Sequence, residues 1–184
     1  MDMSLTKNNN LRIIYHFTTN LNGGGAETQM LLLANSHEIK KKFKSIIIYK
    51  SSINICYFKE KYKDIKFIKL NNFKFIKNNS IYHVWIPDVF TYLPFYKFKS
   101  KNTIIGIRNI YEVTSLKRVY QFINFCFFIK FISNSHSSLQ KHPYKFLFYF
   151  KNFYFIPNGV KFDYKYVEYE TKKIDFYFDF ASPN

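Results

Sequence analysis

Short apolar runs separated by polar stretches dominate this chain. Residues 11–17 (Leu-Arg-Ile-Ile-Tyr-His-Phe) form a β-rich run between polar flanks and predict a buried strand. A loop follows over 18–27. Then Ala26, Met30, Leu33 and Ala34 recur at helical spacing and predict a helix with that apolar face. Residues 40–44 (Lys-Lys-Lys-Phe-Lys) read as a charged break. Further strands are predicted over 45–49, 64–70, 81–86, 102–108, 128–133 and 153–156. Pro87 stops the fourth, and Pro157-Asn158-Gly159 ends the seventh in a turn. Helices are predicted over 117–125 and 137–142, with Ser135 placed to cap the second.

Strands therefore alternate with helices, and most strands are apolar on both faces. That pattern predicts an α/β domain, a Rossmann-like, doubly wound and mostly parallel sheet covered on two sides. At 184 residues the chain has room for one such domain and not for two full ones. No internal repeat is present.

Composition changes the picture in one respect. Lys, Ile, Asn, Phe and Tyr supply 104 of the 184 residues, while Arg and Ala occur three times each. The enriched residues have codons rich in A and T, so the net charge of +16 reads first as codon bias in which Lys replaces Arg. Charge alone then gives little support to a nucleic-acid partner, whereas a basic face against anionic lipid stays open. The two cysteines, Cys56 and Cys126, lie far apart in apolar surroundings and fit neither a disulfide framework nor a zinc site. The first ten residues are polar, and the most apolar stretch, 125–132, is too short to span a bilayer. A cytoplasmic protein, soluble or peripheral at the inner face of the membrane, is the expectation.

The candidate chemistry sits after the first strand. Glycine is scarce, yet three of the five cluster at Gly23, Gly24 and Gly25, at the mouth of a helix. Bare backbone amides there suit a phosphate or another polar ligand. A dinucleotide fingerprint fits only to its second glycine, because Thr28 stands where the third is needed. Lys50 ends the second strand where an acid would hold a ribose. A P-loop fails for want of Gly-Lys-Ser/Thr. Arg108 closes a core strand and is suited to a bidentate contact with phosphate or carboxylate. His16 and His83 read as satisfied core or edge residues, His136 and His142 as solvent-facing, and Trp85 as packing.

Taken together, the motifs resemble the N-terminal half of family 4 glycosyltransferases of the GT-B fold. The resemblance rests on Asn22-Gly-Gly-Gly-Ala-Glu-Thr28 opening a helix and on Tyr82-His83-Val84-Trp85 as the fourth strand. It rests also on Phe131-Ile-Ser-Asn-Ser135 and on Ile156-Pro-Asn-Gly-Val160, with Ile107-Arg108-Asn109 similar to branches that act on surface polysaccharides. It covers residues 11–160 and gains its force from the order and spacing of these motifs.

The resemblance implies retaining transfer from a nucleotide sugar to a glycan or lipid-linked acceptor, in a cleft between two Rossmann-like domains. It implies substrate-binding roles for Asn22, Gly23, Gly24, Gly25, Ala26, Glu27, Arg108, Asn109, Ser135, Asn158 and Gly159. The nucleotide sugar is a substrate; no metal or other cofactor is implied, no catalytic residue is assigned, and no nucleic acid is expected as a partner. Asn109 stands where many relatives carry a histidine, which removes a histidine role there. The expected organisation is an acceptor-side domain over 1–160, a linker over 161–173, and the first strand of an absent donor-binding domain over 174–184. Residues 174–184 also faintly resemble the opening strand of thioredoxin-fold isomerases. The chain alone is then expected not to transfer sugar. The competing expectations are a basic nucleic-acid-binding α/β module without catalysis, and a nicotinamide-dependent oxidoreductase, which Thr28 and Lys50 disfavour.

Overall fold

The computed structural model describes residues 11–75, 80–108, 122–123, 125–135, 140, 142 and 144–156. Seven parallel strands form one sheet in the order β3-β2-β1-β4-β5-β6-β7. They are β1 (Arg12–Asn20), β2 (Phe43–Ser51), β3 (Lys66–Lys69), β4 (Ile81–Val84), β5 (Thr103–Ile107), β6 (Lys130–Ser133) and β7 (Asn152–Phe155). Each overlaps a run the sequence predicts, and the all-parallel order is that of a Rossmann-like, doubly wound α/β fold.

Three helices are described in full: α1 (Gly25–Asn35), α2 (His37–Lys42) and α3 (Ile55–Lys61). Residues 40–44 are not a break. Ser36 ends α1 by donating its N–H to the Leu33 carbonyl, and its hydroxyl then accepts the Ile39 N–H to start α2. Lys40, Lys41 and Lys42 fill the last turn of α2, where cations suit the helix dipole, and β2 begins at once with Phe43. Lys40 also reaches Asp64 at 2.8 Å across the surface. α3, absent from the sequence reading, is capped by the Asn54 side chain, which accepts the Tyr57 N–H. The apolar face of α1 is rotated from expectation. Met30, Leu31 and Ala34 are buried, whereas Leu33 is exposed. Residues 122–123 and 125 are helical, as expected, and 126–127 are helical beyond the predicted end; the rest of 117–125, His136, and residues 137–139 and 141 of the second predicted helix lie outside the described residues, while residue 140 is helical and His142 is not.

The two faces of the sheet differ. One carries Tyr15 and Phe17 of β1, Tyr82 and Val84 of β4, and Ile105 and Ile107 of β5, packed against Phe90, Phe98, Phe125 and Phe128. Here the aromatic excess becomes a core of interlocked rings. Phe98 lies edge-on to Phe17, Phe75, Tyr82 and Phe90 with centroids 4.9–5.7 Å apart. The other face packs Ile47 and Trp85 against Leu21, Met30 and Leu31 of the α1 region and Phe58 of α3.

Candidate functional site

Strand order reverses between β1 and β4, both paired in parallel and flanked by β2 and β5. Crevices at such a switch point, beyond the carboxyl ends of the strands, are where this fold class binds ligands. The glycine loop leaves β1 there, and Trp85 leaves β4.

The loop is fastened to the end of β2. Leu21 is fully buried; its N–H donates to the Ser51 carbonyl at 2.9 Å, and its carbonyl accepts the Ser52 hydroxyl at 2.7 Å. The Asn22 side-chain oxygen accepts the Ile53 N–H at 3.1 Å. Gly23 then turns the chain at φ +90°, a conformation that needs glycine. Gly24 is the N-cap of α1 and has no side chain with which to cap it.

Glu27 supplies the missing group. Its carboxylate accepts the N–H of Gly24 at 2.6 Å and that of Asn22 at 3.1 Å, the return half of a capping box. A Cβ on Gly24 would meet that carboxylate at 3.2 Å. Two of the loop amides that the sequence offers to an anion are thus held by the chain's own carboxylate. The donors at the open end of α1 are the first-turn amides of Gly25 and Ala26. Gly23, Gly24 and Gly25 are exposed, Ala26 is half-buried and Glu27 is buried.

Beside the loop lies a cluster the sequence reading does not assemble. His16 of β1 and His83 of β4 are direct neighbours in register, with ring centroids 5.6 Å apart. His16 is fully buried: its Nδ1 accepts the Trp85 indole N–H at 3.1 Å, and its Nε2 lies 3.4 Å from the Ser45 hydroxyl. His83 packs on Trp85 at 4.4 Å, and its buried Nε2 has no hydrogen-bond partner among the described residues. The expectation of a satisfied core residue therefore holds for His16 and fails for His83. The Arg108 guanidinium stacks on the Trp85 ring, 4.2 Å from its centre. Gly106 permits this packing, since a Cβ there would lie 2.9 Å from the Trp85 carbonyl oxygen.

The electrostatics follow from burial. Desolvation pushes the His16 pKa down to about 3. His83 is held well below its ordinary value by burial first, then by His16 and Arg108. Burial lowers Arg108 to about 10, which leaves it cationic at neutral pH. At that pH the switch point presents two neutral imidazoles, one guanidinium and a helix N-terminus whose loop already carries the Glu27 carboxylate.

Other predicted positions are placed less centrally. Ser135 follows β6, two strands from the switch point; its N–H donates to the Ser133 hydroxyl at 3.3 Å. Asn109, Asn158 and Gly159, together with the expected linker at 161–173 and strand at 174–184, lie outside the described residues. Lys50 places its ammonium 3.7 Å over the Tyr92 ring. His142 is not solvent-facing. It is buried against Phe125, with ring centroids 4.8 Å apart, and burial lowers its pKa to about 4. Its Nδ1 accepts the Tyr144 N–H at 3.2 Å, while Phe125, which covers it, comes from a segment distant in sequence. Cys56 and Cys126 are free and exposed rather than enclosed by apolar groups. No described helix is long and apolar enough to cross a membrane.

The missed features had uneven signals. The Gly24-x-x-Glu27 spacing of a capping box was present in the sequence, whereas the His16–His83–Arg108 cluster follows only from strand order. No protein-family model matches this chain, and no curated protein matches it significantly.

Proposed function

We propose that this chain is the acceptor-side domain of a retaining, family 4-type glycosyltransferase. It works with a nucleotide-sugar donor and a glycan or lipid-linked acceptor in the assembly of a surface polysaccharide. The observation that carries the reading is the place of the glycine loop. The segment with the family resemblance, residues 22–28, lies at the switch point of the sheet, with Trp85 and the Arg108 cation beside it.

The chemistry is that of charge stabilisation. Negative charge grows on the donor diphosphate as the glycosidic bond breaks, and preorganised donors lower the barrier. The first-turn amides of Gly25 and Ala26 and the Arg108 guanidinium are donors of that kind. Glu27 keeps the loop in one shape before substrate arrives, so little reorganisation is left to the reaction. The Trp85 ring backs the Arg108 guanidinium at 4.2 Å. Exposed lysines such as Lys59, Lys63 and Lys66 suit contact with an anionic leaflet that carries a lipid-linked acceptor.

The test is genetic and chemical. In the organism that makes the protein, deletion of the coding sequence and the single change Arg108→Gln are each expected to truncate the surface glycan, as read by mass spectrometry. An unchanged glycan after deletion would overturn the reading.

A further inference from the structure

A pocket opens between α1 and α3, bordered by Asn22 and Gly23 of the glycine loop. Its volume is about 310 Å³, within the size range of small-molecule sites. Leu31 and Phe58 form an apolar floor, and Tyr57, half-exposed, forms a wall.

The charge on the lining is one-sided. Asn22 and Asn54 each accept one N–H, of Ile53 and Tyr57, with the side-chain oxygen, and each brings an amide –NH₂ donor to the lining. Lys61 sits at the rim, its ammonium 3.0 Å from the Tyr57 hydroxyl and 5.4 Å from the centre of the Tyr57 ring. That hydrogen bond raises the Lys61 pKa, so the ammonium stays charged. Among the described residues no carboxylate lines the pocket. Gly23 borders it, and the space at its Cβ position is open.

We propose that this pocket is a subsite for an anionic sugar unit, a phosphorylated or carboxylated monosaccharide. A lining that carries one cation, amide and hydroxyl donors (Thr28 and Tyr62 among them) and no carboxylate favours negative charge. The aromatic wall and apolar floor suit the C–H face of a pyranose. The sugar half of the assignment rests on the transfer reading, and the anion half on the lining. The shared loop would place such a unit next to the switch point, as the part of the acceptor that sets specificity.

The test is amide chemical-shift mapping of the whole chain titrated with glucose 1-phosphate, glucuronate, glucose and inorganic phosphate. The variants are Lys61→Gln and Tyr57→Leu, both at exposed positions, with melting temperature as the folding control. Glucose 1-phosphate and glucuronate are expected to shift residues 22–23, 53–54 and 57–61 saturably. Lys61→Gln should weaken both by about tenfold and leave glucose unchanged, and Tyr57→Leu should weaken all three sugars. The proposal is overturned if no probe shifts these residues, if phosphate alone matches glucose 1-phosphate, or if neither variant changes affinity. Its failure is separable from failure of the transfer reading, because the glycan phenotype of Arg108→Gln does not depend on this pocket.

Discussion

The two faces of the sheet use the same strands for different ends. On one face Tyr15, Phe17, Tyr82 and Val84 meet a dry shell of rings. On the other, the alternate residues of the same two strands are His16 and His83, with Trp85 and Arg108 above them. Burying imidazoles and a guanidinium is unfavourable unless each finds partners, and the His83 Nε2 finds none among the described residues. One face is built for stability and the other tolerates a local cost, which is the usual mark of a site.

The sharpest way to separate the faces is to damage each. Phe98→Ala, at the centre of the ring cluster, should cost about 3–5 kcal/mol in urea denaturation and leave ligand binding in the surviving folded fraction intact. The polar face should instead show itself through pH. His16 and His83 have folded-state pKa values below their unfolded value near 6.5, so the unfolded chain binds more protons in acid. Their contribution is complete above that value and is lost as pH falls below it, for His16 toward about 3. Each histidine tilts stability by up to about 1.4 kcal/mol per pH unit. Denaturation at pH 7 and pH 5 should give a weaker protein at pH 5, and the double variant His16→Gln/His83→Leu should reduce that slope, the remainder coming from His142, whose pKa burial also lowers, to about 4.

Smaller changes probe the joints between the two regions. Gly106→Ala pushes a methyl against the Trp85 carbonyl and should cost about 1–3 kcal/mol, with a shift in the emission of the single tryptophan. Glu27→Ala frees the amides of Asn22 and Gly24 and should cost about 1–2 kcal/mol in thermal melts. His83→Leu removes a buried atom without a described partner and should leave stability unchanged or slightly raised.

The sheet was legible in the sequence because each strand is a short apolar run between polar residues, the simplest signal a chain can carry. α2 was hidden because it buries nothing, so only its Ser36 cap and its lysine-rich end mark it. α3 was hidden by its brevity. At the site, the glycine loop announced itself through the scarcity of glycine. The His16–His83 pair did not, since β1 and β4 become neighbours only when β2 and β3 have passed to the other side. The Arg108 platform was hidden for the same reason, since Trp85 follows a different strand, β4.

Trp85 gives the most direct test. It is the single tryptophan, it donates to His16, and Arg108 lies on its ring, so its fluorescence reports on the switch point alone. Titration with uridine diphosphate and inorganic pyrophosphate should change that emission saturably in the wild-type chain, and Arg108→Gln should abolish the change. An emission that ignores both ligands, or that responds equally well in Arg108→Gln, would contradict a diphosphate-facing site at the switch point.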